Sequence, residues 1–469
     1  MAGMGVTGCA SKSAAARVPL PEAPSARGER PDVLFIMLDD ASPQRLGCYG
    51  SSVAKTPHID RLAASGLRFD AAHCNSPVCN PSRVSMLTGL RPETSGVHMN
   101  NHDWRAMLPG VTTFMDHFKG HGYSTMGVGK IYHANYPDED AWLDKIGSGR
   151  GLAPPKRPSG LKGPGTKHDE IRARGERPPP VPLLYGPSGL EDHEHYDART
   201  ATQVQKVYEN PPEGPLFMAV GFHAPHLPLT APQKYFDVFK DVGVTPPVNP
   251  PGDRDDIYHR ARTYNDADFP REEWRDVLLA FHACQMFIDV QVGRVLDALE
   301  ASGRADRTIV VLSSDHGFML GEHDMFLKTV FFEECTRVPL LLRVPWLVAP
   351  EQKTSSLVEL VDLMATVVDL CDLPTLGGTD AISMRPLLVD PSRPWKKAAI
   401  QVFGEKRRSI VDGRWRLSDL GRRNAIELYD READPREFHN LANDPAAAAD
   451  KDRLMALLDT GWKACMPRV

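Results

Sequence analysis

The sequence contains little that points to a membrane or a nucleic acid. After the N-terminus it has no run of eighteen apolar residues, which argues against a transmembrane helix. It has no basic excess: 55 Lys and Arg stand against 61 Asp and Glu, giving a net charge of −6. That balance gives no support to nucleic-acid binding but leaves room for a local basic groove around an anionic substrate. Its eight cysteines (9, 48, 74, 79, 284, 335, 371 and 465) show neither metal-ligand spacing nor a dense disulfide framework, and no pairing can be read from them. No internal repeat is visible. What remains is ordinary globular composition, 41% hydrophobic and 25% charged, in a chain of 469 residues. That length suits one large domain with an appendage, or two domains.

Residues 1–30 are rich in Pro and Ala, and "VTGCASK" around Cys9 resembles the cleavage box of a bacterial lipoprotein signal. The basic and long apolar regions that precede such a box are missing. We read this stretch as the remnant of an export signal plus a flexible linker. It predicts an exported protein, periplasmic or at the cell surface, with Cys9 as a candidate lipid anchor.

Beyond it, four segments join a short apolar run to a polar ending: "DVLFIMLDD" (32–40), "YSTMGVGKIYH" (123–133), "LFMAVGFHAPH" (216–226) and "TIVVLSSDHG" (308–317). Runs of this kind suit strands buried on both faces of a parallel sheet. Amphipathic helical patterns ending at glycine lie between them: "TPHIDRLAASG", "TTFMDHFKGHG" and a long stretch ending "VLDALEASG". The alternation predicts an α/β fold with a large, mostly parallel sheet flanked by helices over residues 31–395. In such sheets ligands bind beyond the carboxyl ends of the strands, so all four polar endings fall on one edge. The 41 prolines, and residues from about 135 to 215 above all, point to long loops. From about residue 396, short strand patterns, a "DG" turn and a last helix, "DKDRLMALLDTGW", predict a smaller C-terminal α+β subdomain, 396–469, containing a short antiparallel sheet.

The polar endings carry the chemistry. Asp39, Asp40 and Asp315 gather carboxylates beside His316, an arrangement that needs a compensating cation. With mostly oxygen ligands a hard ion fits, Ca²⁺ or Mg²⁺ before zinc. Arg83, Lys130 and Lys328 supply the positive charge expected around a tetrahedral anion in phosphoryl or sulfuryl transfer. His133 and His226 are candidates for base and acid. In "SPVCNPSRVSMLTG", Cys79 stands at a predicted helix start, where free N–H groups favour negative charge. Taken singly, each has a plainer explanation: a cysteine buried in a loop, an acidic pair capping a helix, a solvated lysine, a histidine holding structure.

Together these residues resemble one family. "CNPSRVSMLTG" matches the C-x-P-x-R signature and following L-T-G of the type I sulfatases, members of the alkaline-phosphatase-like superfamily. "LDD", "GVGKIYH", "GFHAPH" and "SSDHGFMLGEHDMFLK" fall in that family's order over about residues 31 to 440. The runs "GKIYH", "HAPHLP" and "GEHDMFLKTVFFEECTRVPLLLRVP" are most similar to the iduronate-2-sulfatase branch. The resemblance implies an alkaline-phosphatase-like fold and hydrolysis of a sulfated carbohydrate. It implies that a maturation enzyme oxidises Cys79 to Cα-formylglycine, one of whose hydrate oxygens attacks sulfur. Asp39, Asp40, Cys79, Asp315 and His316 match the metal ligands, with Ca²⁺ expected over Mg²⁺. Arg83 and Lys130 would hold the hydrate, and His133 would take its remaining proton. His226, preferred over His223 by this comparison, would protonate the leaving oxygen beside Lys328. The loop "NNHDWRAM" supplies weaker sugar-binding candidates, His102, Asp103 and Trp104. The nearest rival is a phosphonate monoester or phosphodiester hydrolase of the same superfamily. A two-metal phosphatase lacks a second ligand set here, and an inactive glycan-binding module would have lost ligands that this chain keeps.

Overall fold

The computed structural model describes residues 20–133, 160–162, 183–261, 270–422 and 425–467. Cys9, most of the 1–30 leader and much of the Pro/Gly-rich 135–182 stretch lie outside the described residues.

The main sheet has seven strands: β1 (Asp32–Leu38), β2 (Leu67–Phe69), β3 (Ser124–Gly129), β4 (Leu216–Gly221), β5 (Thr308–Ser314), β6 (Leu340–Arg343) and β7 (Gln352–Thr354). Their order is β7-β2-β6-β5-β1-β4-β3. β1 pairs in parallel with β4 and β5, β3 with β4, and β7 with β2. Only β6 runs against its neighbours. Every residue of β1, β4 and β5 is buried, as expected for strands covered on both faces. Side-chain alternation divides β1 between two apolar layers. Leu34, Ile36 and Leu38 face the layer of α1 (Pro57–Ala64), α4 (Tyr196–Glu209), α5 (Gln233–Phe239) and the long α6 (Trp274–Ala301). Val33, Phe35 and Met37 face α2 (Cys79–Thr88), α3 (Phe114–Gly120) and α7 (Asp362–Leu370). A capping box starts α3: the Thr113 hydroxyl accepts from Asp116 N, and Asp116 accepts from Thr113 N.

Two features depart from the sequence expectation. The region expected to be loop from about 135 to 215 contains α4, a helix of fourteen residues. Its buried stripe consists largely of small residues, Ala198, Thr200, Ala201 and Val204, whose spacing is helical but whose apolar signal is weak. The antiparallel β6, set in "RVPLLLRVP", also goes unforeseen, because so short an apolar run carries no direction.

At the C-terminal end, β8 (Ala399–Phe403), β9 (Arg407–Val411), β10 (Trp415–Asp419) and β11 (Ile426–Asp430) form an antiparallel meander. The last helix, α8 (Ala448–Thr460), closes an apolar cluster of its own there, Leu454 and Leu458 lying with Ile400, Ile410, Leu417 and Leu428. The far side of this sheet reaches the main body. Phe403 and Tyr429 share a cluster with Val78, Met325 and Phe331. Buried Arg416 bonds Glu437 Oε1 at 2.6 Å and Glu333 Oε2 at 2.7 Å. Cys48, Cys74, Cys79, Cys284, Cys335, Cys371 and Cys465 are free thiols. Among the described residues no helix is long and apolar enough to cross a membrane.

Candidate active site

β5, β1, β4 and β3 are consecutive and parallel, so their carboxyl ends open on one edge of the sheet. Asp39 and Asp40 follow β1, Asp315 and His316 follow β5, His223 and His226 follow β4, and Lys130 and His133 follow β3. Asp40 takes a left-handed backbone, φ 65°, a conformation that Asp tolerates better than most residues. Carboxylate oxygens of Asp39, Asp40 and Asp315 lie within 4.8 Å of one another, all buried. The Asp40 N–H donates to Asp315 Oδ1 at 3.3 Å.

Cys79 is the first residue of α2, after an extended Val78, and Gly89 ends the helix at φ 69°. Every residue of α2 is buried. The Cys79 Sγ lies 3.2 Å from Lys328 Nζ, 3.3 Å from His316 Nε2 and 3.9 Å from Asp39 Oδ1. Burial by itself pushes this thiol up, but Lys328 and Lys130 outweigh it and bring it down to about 5. The position therefore stabilises negative charge, and it does so independently of sulfur chemistry.

One turn further along, Arg83 is fully buried and meets partners on three sides. Its Nε donates to Asp315 Oδ2 at 2.9 Å, one terminal nitrogen lies 3.3 Å from Asp39 Oδ1, and the other donates to the carbonyls of Lys130 (2.6 Å) and Ile131 (3.0 Å). Lys130 Nζ bonds Asp39 Oδ2 and Lys328 Nζ bonds Asp40 Oδ1, the latter at 2.7 Å. Burial pushes the Asp39 and Asp315 carboxyls up, yet Lys130 holds the first and Arg83 the second below the ordinary carboxylate range. The two lysines and Arg83 thus surround the carboxylates and the Cys79 side chain.

The two histidine candidates are tuned in opposite directions. Burial, Lys130 and Arg83 all push His133 down, to about 4, and its Nδ1 is buried without a hydrogen-bond partner. Burial and Lys328 also push His226 down, but Asp39 and Asp40 prevail and hold it above the ordinary imidazole value. Its Nε2 lies 3.8 Å from Asp40 Oδ2, and its Nδ1 meets the Leu227 carbonyl at 2.9 Å. One imidazole pushed down and another pushed up in one site is the pattern of a base and an acid. His223 lies against His226 with ring centroids 4.9 Å apart, and burial pushes it well below the ordinary imidazole value.

The loop candidates fare differently. Trp104 is fully buried and stacked on Tyr132, centroids 5.2 Å apart and planes within 5°, so it presents no face to a sugar. That corrects the sequence expectation: the polar neighbours in "NNHDW" conceal a core residue. Asp103 caps the short helix Trp104–Met107, its carboxylate accepting from Ala106 N. His102 does line a cavity.

Three positioning residues had no role assigned from the sequence, two of them at the unspecified positions of the C-x-P-x-R signature. Asp197, 5% exposed at the start of α4, accepts from His223 N (2.7 Å) and Ala224 N (2.9 Å) and so holds the turn that carries His226. Ser82 donates to the Asp315 carbonyl at 2.5 Å. Asn80 bonds the carbonyls of Met99 (3.0 Å) and His102 (2.9 Å), fixing the loop beside Cys79. A polar residue whose partners are distant backbone atoms leaves no local sequence pattern.

The residues fit a hard divalent cation. Three convergent carboxylates are a hard-oxygen donor set, and Asp40 Oδ2 is buried with no hydrogen-bond partner. His316 joins them through Nδ1, 3.2 Å from Asp40 Oδ1, and ligand atoms of Asp40, Cys79 and His316 also converge.

The profile of the sulfatase family matches residues 31–373, and that of the N-sulphoglucosamine sulphohydrolase C-terminal region matches residues 321–461. The chain belongs to the sulfatase family and is an enzyme of that class. A sulfatase of Formosa agariphila is 31% identical over 447 residues, covering 92% of this chain and 86% of its own. The human iduronate 2-sulfatase is 32% identical over 401 residues, covering 77% and 71%. Among solved structures, an enzyme in complex with its substrate D-glucosamine-2-N,6-O-disulfate superposes with a TM-score of 0.72 at 23% identity, over 93% of this chain and 98% of its own. The phosphonate monoester hydrolase of Agrobacterium radiobacter also reaches 0.72, at 22% identity over 92% and 95%. At that identity the likeness speaks for the alkaline-phosphatase-like fold alone.

Proposed function

We propose that this sulfatase removes sulfate from a sulfated carbohydrate, with Cα-formylglycine formed from Cys79 as nucleophile and Ca²⁺ bound by Asp39, Asp40, Asp315 and His316. The observation that carries this is the setting of Cys79: a buried helix N-terminus with Lys328 Nζ at 3.2 Å, beside three converging carboxylates. When formed, the aldehyde hydrate supplies the attacking oxygen, and the cation supplies Lewis acidity toward it. The chain's own groups do the rest. Arg83 and Lys130, locked to Asp39 and Asp315, keep the nucleophile's surroundings positive. Lys328, on the same side as Asp40, meets the sulfate oxygens and offsets the charge that develops on them. His133, held neutral, accepts the proton that must leave for the aldehyde to re-form. His226, whose affinity for a proton Asp39 and Asp40 raise, donates to the departing sugar oxygen. Sulfated glycans are the substrates that several relatives' names give, the N-acetylglucosamine-6-O-sulfatase of Bacteroides thetaiotaomicron among them, at 25% identity over 93% of this chain.

The same proposal includes a maturation enzyme acting on Cys79 and export of the chain, with Cys9 as candidate lipid anchor. The testing experiment measures release of sulfate from 4-nitrophenyl sulfate and from sulfated mono- and oligosaccharides, beside phosphonate monoester and phosphodiester analogues. Faster turnover of the sulfate esters supports the proposal. Faster turnover of the phosphorus esters overturns it in favour of the phosphonate hydrolase.

A further inference from the structure

A cavity of about 340 Å³ lies between the loop carrying His98, Met99 and His102 and the β8–β9 hairpin tip, Gly404 to Arg407. Both walls are anchored to the residues that flank Cys79. On one side, Asn80 holds the Met99 and His102 carbonyls, while its own N–H donates to Asn100 Oδ1 at 2.9 Å. On the other, Phe403 shares an apolar cluster with Val78. The Arg407 guanidinium sits 3.7 Å from the Phe403 ring centroid, which fixes its charge on that wall. Next to it, Lys406 is exposed and has no ion-pair partner among the described residues. The one acidic group of the lining, Glu405, acts electrostatically on His98, whose Nδ1 is buried without a hydrogen-bond partner. The volume is at the small end of ligand sites, enough for one sugar ring and its substituent.

We propose that this cavity is a subsite for a second anionic group, a carboxylate or a further sulfate, on the saccharide whose sulfate ester is cleaved, with Lys406 and Arg407 as the selecting cations. The inference rests on the sulfatase reading of Cys79 and adds a substrate class to it: the preferred saccharide is at least dianionic. It also gives the small C-terminal sheet a task, since Lys406 and Arg407 come from its hairpin while the nucleophile position comes from the main body.

The test compares kcat/KM of the matured enzyme on N,6-disulfated glucosamine, on a sulfated hexuronate disaccharide and on 6-sulfated N-acetylglucosamine, which has no second anion. In Lys406→Glu the ratio of either dianionic substrate to the monoanionic one falls at least tenfold. Arg407→Gln lowers the same ratio, and the fall shrinks as salt is raised. A fall with only one of the two dianionic substrates identifies that anion as the occupant. An unchanged ratio overturns the subsite. A wild-type enzyme inert on every sulfate ester refutes the sulfatase reading instead. In that event, calorimetric binding of the same disulfated sugar to wild type and Lys406→Glu still decides the subsite: equal affinities overturn it, and tenfold weaker binding upholds it.

Discussion

Replacing Asp197 by Asn removes a charge that lies behind His226 and touches neither the sulfate nor the nucleophile. The carboxylate accepts two backbone N–H groups, His223 at 2.7 Å and Ala224 at 2.9 Å, and burial pushes it up to about 6. An Asn oxygen can accept one of these; its amide NH₂ then faces the other donor. The loss is one charge-assisted hydrogen bond, about 1.5–3 kcal/mol, with one buried N–H left unpaired. The turn must move to relieve this. His226 follows Ala224 by two residues, with its Nδ1 meeting the Leu227 carbonyl at 2.9 Å, so the displacement reaches the Nε2 proposed above as the proton donor. At about 1.4 kcal/mol per tenfold, the variant should lose about tenfold to a hundredfold in kcat on a sugar sulfate, whose leaving alkoxide needs a proton. On 4-nitrophenyl sulfate, whose phenolate leaves unprotonated, the loss should be only about threefold or less. Steady-state kinetics on the two substrates, with thermal unfolding to verify folding, make the comparison. Equal losses on both substrates would refute the positioning argument, because a general disturbance of the site affects both.

Other outcomes follow from the same structure. Burial pushes the Glu333 carboxyl up, but Arg431, His73 and Arg416 bring it down to about 2, below the ordinary 4.5. A depressed folded value means the stability it contributes is complete above pH 4.5 and fades as pH falls toward 2. Glu333→Gln should therefore cost about 3 kcal/mol at neutral pH, as for a broken buried pair, and the gap from wild type should narrow in acid; a gap independent of pH would contradict it. Removing divalent cations with a chelator should abolish turnover and lower the melting temperature by uncompensating three buried carboxylates, and Ca²⁺ should restore both more fully than Mg²⁺. Full activity after exhaustive chelation would count against the cation site.

The sheet edge was legible because its residues obey two local rules at once. "DVLFIML" and "TIVVLSS" each carry a continuous apolar run, VLFIML and IVVL, the signature of strands covered on both faces, and each strand is followed by an acidic residue. Parallel β1 and β5 then bring Asp39 and Asp315 together by topology, without further information. The start of α2 was readable for the same reason, its Pro81 and Gly89 marking beginning and end. Residues that work at long range escaped. Asp197 acts on backbone atoms 26 and 27 residues away, and Asn80 on carbonyls 19 and 22 residues away. Trp104 was misread because polar neighbours in sequence say nothing about Tyr132, its partner in space. The cavity between the His98–His102 loop and the β8–β9 hairpin could not be foreseen at all, since its walls come from segments about three hundred residues apart that meet only through tertiary packing.

The central claim concerns what stands at position 79, and mass spectrometry of the tryptic peptide Phe69–Arg83 tests it directly. The peptide contains a second cysteine, Cys74, a buried free thiol with burial first among the causes that push it above the usual range, which serves as an internal reference. In active protein made with a maturation enzyme, fragment ions should show an aldehyde in place of the thiol at Cys79 and an unaltered thiol at Cys74. An unmodified thiol at Cys79 in fully active protein would contradict the account.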